Sequence, residues 1–220
     1  MVRRTAAALA CVLAMPAPAI ADTHDEGEGR LSANSGGGGF VAAAPVHRDY
    51  WVSLGDWVLC DTALNVGPVD DKITITGLRF VTGRYRPLAV RAYIRKVTPR
   101  QVAAHPGQPA GAYSPFTSNL GSAPKFQQPY ADRDWTPRGH FSRGVAGSSV
   151  LRGCDQALED AYADLQGEVP LHPWTSLVLA VKVGRHGARI RRTLVDYEDG
   201  TGAHTLRIRW TVGGQRFHGG

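Results

Sequence analysis

The sequence contains little cysteine and little methionine. Both methionines and one of the three cysteines, Cys11, lie in the first 21 residues. The rest of the chain therefore lacks the thioether ligands that many exported copper carriers use. It keeps two isolated cysteines, Cys60 and Cys154. In an oxidising compartment such a pair predicts one disulfide and argues against a catalytic thiol.

Long hydrophobic runs are also lacking. The apolar run near the N-terminus extends only from Ala6 to Met15, whereas a membrane-spanning helix needs about 20 apolar residues. Two arginines precede this run and a small-x-small motif ending at Ala21 follows it, which is the order of a secretory signal peptide. A lipid anchor at Cys11 and twin-arginine export are the alternatives. We expect a signal peptide at 1–21, no transmembrane segment, and export to the extracellular or cell-envelope space.

The sequence lacks the motifs of common hydrolases and nucleotide-binding proteins. It has no Gly-x-Ser-x-Gly elbow, no His-Glu-x-x-His and no glycine-rich phosphate loop. His140 lies two residues from Ser142, but no third orienting group accompanies them. The eight histidines are not spaced for a shared helix face or for adjacent strand positions. We therefore predict no catalytic residue, no cofactor and no metal site. A secreted hydrolase is kept as an alternative function, ranked after the two given at the end of this section.

Positive charge is in mild excess. The formal net charge is +6, and removal of the two arginines in residues 1–21 leaves 6 − 2 = +4. Arginine outnumbers lysine, as the composition of a GC-rich bacterial genome would produce without a functional demand. Because the arginines are spread over several candidate strands, and nucleic-acid binders concentrate them on one face or stripe, no nucleic-acid partner is expected.

From Asp49 onward the sequence alternates between apolar and polar residues with strand periodicity. The segments "DKITITGLRFV", "PLAVRAYIRKV", "TSLVLAVKV" and "HTLRIRWTV" all show this pattern. Gly77 interrupts the first of them and predicts a β-bulge. In the second, Leu88 and Ile94 mark the face predicted to be buried, and Arg91 and Arg95 mark a face predicted to be exposed to water. Such half-buried alternation predicts a mostly β fold, an antiparallel β-sandwich.

Irregular segments surround and interrupt these strands. Residues 22–48 are acidic and then glycine-rich, which predicts a flexible leader, and residues 214–220 are predicted as a flexible tail. Residues 98–153 lose the alternation, so they are an insertion, a disordered arm or a region whose short strands the pattern does not reveal. "CDQALEDAYADLQG" has helical spacing and predicts one short helix. The expected organisation is a single β-sandwich domain at 49–213 with a long central loop insertion at 98–153.

The stretch "LVDYEDGTGAHTLRIRW" allows two interpretations, a calcium loop or a turn between strands. A calcium loop of the EF-hand type needs an acid at its twelfth position. Counted from Asp196, that position is occupied by Arg207. A hairpin needs only residues that tolerate positive φ, which Asp199 and Gly200 supply. The sequence therefore predicts a turn.

The pairing of "WVLCDTALNVGPVDDKITITGLRF" with "VPLHPWTSLVLAVKVGRHGARIRRTLVDYEDGTGAHTLRIRW" resembles small exported bacterial proteins with an immunoglobulin-like or fibronectin-like sandwich. The resemblance covers residues 51–97 and 168–213, and it consists of a proline-marked edge, an aliphatic strand and a tyrosine before a glycine turn. It implies an immunoglobulin-like β-sandwich and no named function, because a fold does not determine function. Cys154 lies outside any predicted strand, which departs from the usual disulfide between strands.

Two groups of side chains are candidates for ligand binding. Aromatic residues in the insertion, Trp135 and Tyr130, offer ring surfaces that could stack against sugars, although large aromatic side chains most often fill cores. Four arginines on strand candidates could share one positively charged face; these are Arg91, Arg95, Arg207 and Arg209. If the strands belong to different sheets, the arginines are simply solvated.

The sequence thus predicts an exported, non-catalytic binding or cell-envelope-associated protein that acts as a monomer. Its expected partner is an acidic cell-envelope polymer or an exported protein. A carbohydrate-binding module that uses exposed aromatic residues is the first alternative.

Overall fold

In the part of the chain that the structure describes, thirteen strands form two sheets. The structure is a computed structural model, and it describes residues 29–34, 40–44, 49–65, 67, 70–98, 100, 119–122, 125–127, 139–150, 152–157, 159, 173–209 and 211–216. The strands are β1 (Leu31–Asn34), β2 (Phe40–Ala44), β3 (Tyr50–Asp61), β4 (Thr74–Thr82), β5 (Ala89–Val97), β6 (Asn119–Ser122), β7 (Lys125–Gln127), β8 (His140–Arg143), β9 (Ser148–Ser149), β10 (Trp174–Val183), β11 (Ala188–Asp199), β12 (Gly202–Ile208) and β13 (Val212–Arg216). Within these ranges no helix has the length and apolar character needed to cross a bilayer.

Nearly all strand pairs are antiparallel. The first sheet has the order β7-β6-β3-β10-β5-β8, and β1 also pairs with β3. The second sheet has the order β2-β13-β11-β4-β9, and β12 pairs with β11. Among the strand pairs described, only β2 with β13 is parallel. The predicted mostly β, antiparallel fold is therefore confirmed.

The core lies between the two sheets. On β10, alternate residues from Leu177 to Val183 point inward, as their spacing predicts, and each is at most 1% exposed. They belong to one hydrophobic cluster with residues of the second sheet such as Val195 and Leu206. Complete burial of a Leu, Ile or Val side chain contributes about 1.5–3 kcal/mol. One shared core implies that the sheets pack face to face as a sandwich.

Two bulges in the pairing of β11 with β4 adjust which residues face this core. The pairing of β11 with β4 shifts register between Asp196 and Tyr197, next to Gly77, which confirms the predicted bulge. A second shift falls between Ile190 and Arg192. An extra residue in one strand leaves that residue unpaired and changes the side that later residues face. The alternation of β11 is therefore interrupted at Arg191.

Two strands lie in the segment for which the sequence predicts a flexible leader. β1 pairs with β3 over Leu31–Asn34, and β2 pairs with β13 over Phe40–Ala44. β13 itself extends to Arg216, beyond the predicted end of the domain at residue 213. Segments near both ends of the described part of the chain thus add strands to the sheets, β1 to the first sheet and β2 and β13 to the second. The sequence does not reveal this because the two N-terminal strands have four and five residues and gain their pairing from distant partners.

The predicted insertion, residues 98–153, contains short strands. β6 and β7 extend the first sheet beyond β3, β8 pairs with β5, and β9 pairs with β4. The sequence left three possibilities open for this segment: an insertion, a disordered arm, or short strands that the pattern does not reveal. The parts of it that form β6 to β9 correspond to the third. In the segment predicted as a helix, residues 154–157 are helical, and most of the remainder lies outside the described residues.

Cys60 and Cys154 form the predicted disulfide, with their Cα atoms 4.9 Å apart. The bond joins the end of β3 to the segment that begins at Arg152. The Asp61 amide donates to the Arg152 carbonyl over 2.8 Å, and the Asp155 amide donates to the Asn65 side chain over 3.0 Å. The disulfide therefore fastens the short helical segment that begins at Cys154, and not a second strand, to the first sheet.

Candidate functional site

The structure does not place the four candidate arginines on one face. Arg91 and Arg95 lie on β5 in the first sheet, and Arg207 lies on β12 in the second, with Arg209 directly after it. The hypothesis that these four guanidinium groups share a surface is therefore wrong. Alternation within each strand assigned them to polar faces, but it could not indicate which strands are neighbours.

Arg91 and Arg95 also lie in a less polar setting than their alternation predicts. The Arg91 guanidinium lies over the Trp51 ring at 4.2 Å, and the Arg95 guanidinium lies 6.0 Å from the centre of the Phe141 ring. Arg95 is 0% exposed. Tyr93, between them, belongs to a second hydrophobic cluster on this side of the sheet. The outer side of β5 is therefore largely covered, and the prediction that it faces water is wrong for Arg95.

Within the described residues, the candidate aromatic side chains do not form a surface on which a ligand could stack. Trp135 and Tyr130 lie outside the described residues. Of the tryptophans near Cys60, Trp57 is completely buried in the main core, and Trp51 is partly buried beneath Arg91. Stacking against sugars is therefore not supported by the described aromatic side chains.

The outer face of the second sheet carries a larger group of arginines. Arg207 and Arg209 are exposed there, and β11 and β4 add four more exposed arginines. We call this surface the arginine face; it comprises Arg79, Arg189, Arg191, Arg192, Arg207 and Arg209. The register places Arg79 of β4 and Arg207 of β12 on either side of Leu194. Two of the four candidate arginines, Arg207 and Arg209, thus belong to a positively charged surface. Their neighbours there are arginines of β4 and β11, and not Arg91 and Arg95.

The bulge at Arg191 explains how β11 contributes three of these arginines. Ile190, Thr193 and Val195 are all buried, although strict alternation from Ile190 would send Thr193 and Val195 outward. The extra residue lets Arg191 and Arg192 both remain exposed between buried neighbours. The segment "ARIRRT" contains the signal, because two adjacent arginines between branched residues fit an exposed bulge better than a regular strand. The sequence reasoning missed these residues because it assumed unbroken alternation.

The carboxylates on this face lie at one end of it. Arg79 makes a two-pronged contact with Asp196, Nε to Oδ2 at 2.7 Å and Nη2 to Oδ1 at 2.6 Å, and Thr205 donates to Oδ1 over 2.7 Å. Hydrogen bonds from Arg79 hold the pKa of Asp196 below its ordinary value. Glu198 is the other exposed carboxylate on β11. Six arginines therefore face two carboxylates among the described side chains of this surface, and one of those carboxylates is already neutralised.

The hairpin between β11 and β12 confirms the predicted turn. Asp199 pairs with Gly202, so Gly200 and Thr201 form the loop. Asp199 Oδ1 accepts hydrogen bonds from the amide and the hydroxyl of Thr201, at 2.8 and 2.6 Å. Within the described ranges, no group of three or more His, Cys, Asp or Glu side chains is arranged to hold a metal ion. The acidic side chains here stabilise the turn.

His204 also contacts this turn, but the groups around its imidazole are not arranged as in a catalytic proton relay. Its Nε2 lies 2.9 Å from the Thr201 hydroxyl and 3.2 Å from Asp199 Oδ1. A relay needs the hydroxyl and the carboxylate on different ring nitrogens, so that a proton taken at one is balanced at the other. Here a single nitrogen faces both groups. The arrangement is suited to fixing the hairpin and not to activating the hydroxyl.

The hairpin is also fastened to both sheets through Arg30. This guanidinium donates to Asp61 at the end of β3, at 2.6 and 3.2 Å, and to Asp71 ahead of β4. Asp71 Oδ2 in turn accepts from the Gly200 amide over 2.6 Å, which lowers the pKa of Asp71. We call Arg30, Asp61 and Asp71 the polar clasp. It holds the β11–β12 hairpin, and thus the acidic end of the arginine face, against the first sheet.

Comparison with known proteins supplies no relative for this arrangement. No protein-family model, curated protein or solved structure matches the chain.

Proposed function

We propose that the protein is an exported, non-catalytic binding protein that uses the arginine face to hold an acidic cell-envelope polymer or an acidic exported partner. The observation that carries the proposal is the charge of this face, six arginines against two carboxylates among its described side chains. Export is supported by the signal-like N-terminus and by the disulfide between Cys60 and Cys154, a bond that persists in oxidising compartments.

A broad, flat surface of this kind favours an extended anionic ligand. The arginines are distributed over β4, β11 and β12, so they present a surface and not a single pocket. Guanidinium groups match carboxylate and phosphate geometry with paired donors. Their combined potential attracts a polyanion from a distance and orients it. The contact should weaken as salt rises, because screening shortens to about 8 Å near physiological ionic strength.

Retention on an immobilised acidic cell-wall polymer across a salt series tests the proposal. The double variant Arg192→Glu, Arg207→Glu reverses two charges in the centre of the face and should elute at markedly lower salt than the wild type. The double variant Arg100→Glu, Arg143→Glu changes the net charge equally at exposed positions away from the second sheet and should elute close to the wild type. Equal elution of the two double variants would show that net charge alone, and not this face, governs binding.

Pull-down from envelope and medium fractions distinguishes the two kinds of acidic partner. If a protein is the partner, the wild type and the Arg100→Glu, Arg143→Glu variant should recover it, and the Arg192→Glu, Arg207→Glu variant should not. Intact mass of exported material, expected to begin near Asp22, tests the export step separately. A mature N-terminus carrying a lipid on Cys11 would contradict the predicted cleavage after Ala21.

A further inference from the structure

A separate cleft lies where the loop between β4 and β5 meets the tight turn between β10 and β11. It has a volume of about 440 Å³ and is lined by Arg84, Tyr85, Arg86, Leu88, Gly184, Arg185, His186 and Gly187. This volume falls within the range of about 300–1,000 Å³ that is usual for ligand sites. Three guanidinium groups and an imidazole line it, and no carboxylate is among the lining residues. We call it the arginine cleft.

Backbone hydrogen bonds fix the two segments that form the cleft. The Arg189 amide donates to the Tyr85 carbonyl over 2.7 Å, and the Leu88 amide donates to the Lys182 carbonyl over 2.9 Å. The connection from β10 to β11 is a tight turn in which the Gly187 amide donates to the Gly184 carbonyl over 3.0 Å. The cleft is therefore preformed, so that a ligand need not order its walls, and such preorganisation favours affinity.

The cleft combines positive charge with exposed apolar surface. Among the described residues, the exposed large hydrophobic side chains are Val81, Tyr85 and Leu88, and Leu88 is 56% exposed. Two of these three line the cleft. Leu88 lies against Gly184, where any added Cβ would meet its side chain at 3.1–3.3 Å. The glycine therefore allows the leucine to lie over the backbone of this turn and to form an apolar wall beside the guanidinium groups.

From these features we infer that the arginine cleft is a binding site for a phosphoryl group carried on an organic molecule. One guanidinium fork covers the two oxygens of a carboxylate, whereas a phosphoryl group offers three oxygens and more charge to several arginines at once. Arg185 Nε donates to His186 Nε2 over 2.8 Å, which occupies one of its five N–H groups. Tyr85 and Leu88 provide a surface for the ring or chain that carries the phosphoryl group.

Such a ligand could be a soluble phosphate ester or the headgroup of a phospholipid. The shared chemistry is a phosphoryl group beside an apolar moiety, and two arms of one experiment separate the sources. In the first arm, binding of inorganic phosphate, phenyl phosphate, glucose 6-phosphate and glucose is measured by calorimetry. In the second, co-sedimentation is measured with vesicles that contain phosphatidic acid and with vesicles of phosphatidylcholine alone.

Phenyl phosphate or phosphatidic acid vesicles should bind to the wild type, and glucose should not. The Arg84→Ala, Arg86→Ala variant should lower the affinity at least about tenfold, as expected when charged hydrogen bonds are lost. Leu88→Ser should weaken phenyl phosphate but leave inorganic phosphate unchanged. Arg143→Ala, an exposed arginine on β8, is the control and should have no effect. Binding in only one arm identifies the source.

Absence of binding to every phosphorylated probe would overturn the inference, as would equal losses in the Arg84→Ala, Arg86→Ala variant and in Arg143→Ala. The outcome is independent of the proposed function. The Arg192→Glu, Arg207→Glu variant alters the arginine face and none of the residues that line the cleft. It should keep its affinity for phenyl phosphate whether or not the arginine face binds a polymer.

Discussion

Tyr197 shows how one buried polar atom fixes the N-terminal strand. Its side chain is completely buried, burial raises its pKa, and its hydroxyl accepts a hydrogen bond from the Leu31 amide at 3.3 Å. Tyr197→Phe would leave a buried amide without this acceptor, which costs about 1–3 kcal/mol. Urea unfolding measures the change. Tyr85→Phe, at a position 46% exposed, is the control, and equal destabilisation by both variants would contradict the role of the hydroxyl.

Asp196 makes stability depend on acid pH. Because hydrogen bonds from Arg79 lower its pKa in the folded state, its contribution is fully present above the unfolded pKa, about 3.9. The contribution is lost as pH falls through the lower folded value. Asp71, held by Gly200 and Arg30, behaves in the same way. Unfolding measured from pH 6 to pH 2.5 should show a shallower acid loss for Asp196→Asn than for the wild type, and an equal acid loss in the two proteins would contradict this role of Asp196.

The segment after Arg152 is held to the first sheet by its disulfide and by a few hydrogen bonds. The chain-entropy model gives up to about 4–5 kcal/mol for a loop of this length, closed across a sequence separation of 94 residues. Reduction should lower stability and should first expose the amide of Asp61, which bonds the Arg152 carbonyl. The central strands, with their larger apolar burial, should open later. Hydrogen exchange with and without reductant tests this order, and simultaneous exchange of Asp61 and Val181 would contradict it.

The regular alternation of the long strands accounts for what the sequence predicts about the whole molecule. Residues such as Leu179 and Ile208 are large and apolar, and each lies in a strand where such residues recur at every second position. Their burial therefore follows from the local pattern alone. Arg95 was misplaced because alternation identifies a face but not what covers it. Arg192 was missed because the bulge changes the period within β11. β1 and β2 were missed because short strands depend on distant partners. The candidate site was limited in the same way. The residue types suggested a surface of arginines, but only the order of the strands in the sheets showed which arginines are neighbours.

The polar clasp should matter more to the whole molecule than the ion pair on the arginine face. Arg30 joins Asp61 of the first sheet, which is 2% exposed, to the loop that anchors the hairpin of the second. Arg30→Met would leave the Asp61 carboxylate buried without its cation, which costs about 3–5 kcal/mol. Arg79→Met breaks a similar two-pronged pair whose arginine is 60% exposed, and exposed pairs contribute little because water screens them. Urea unfolding at pH 7 should therefore show a large loss for Arg30→Met and a small one for Arg79→Met. Comparable losses would mean that burial of Asp61 does not determine the strength of the clasp.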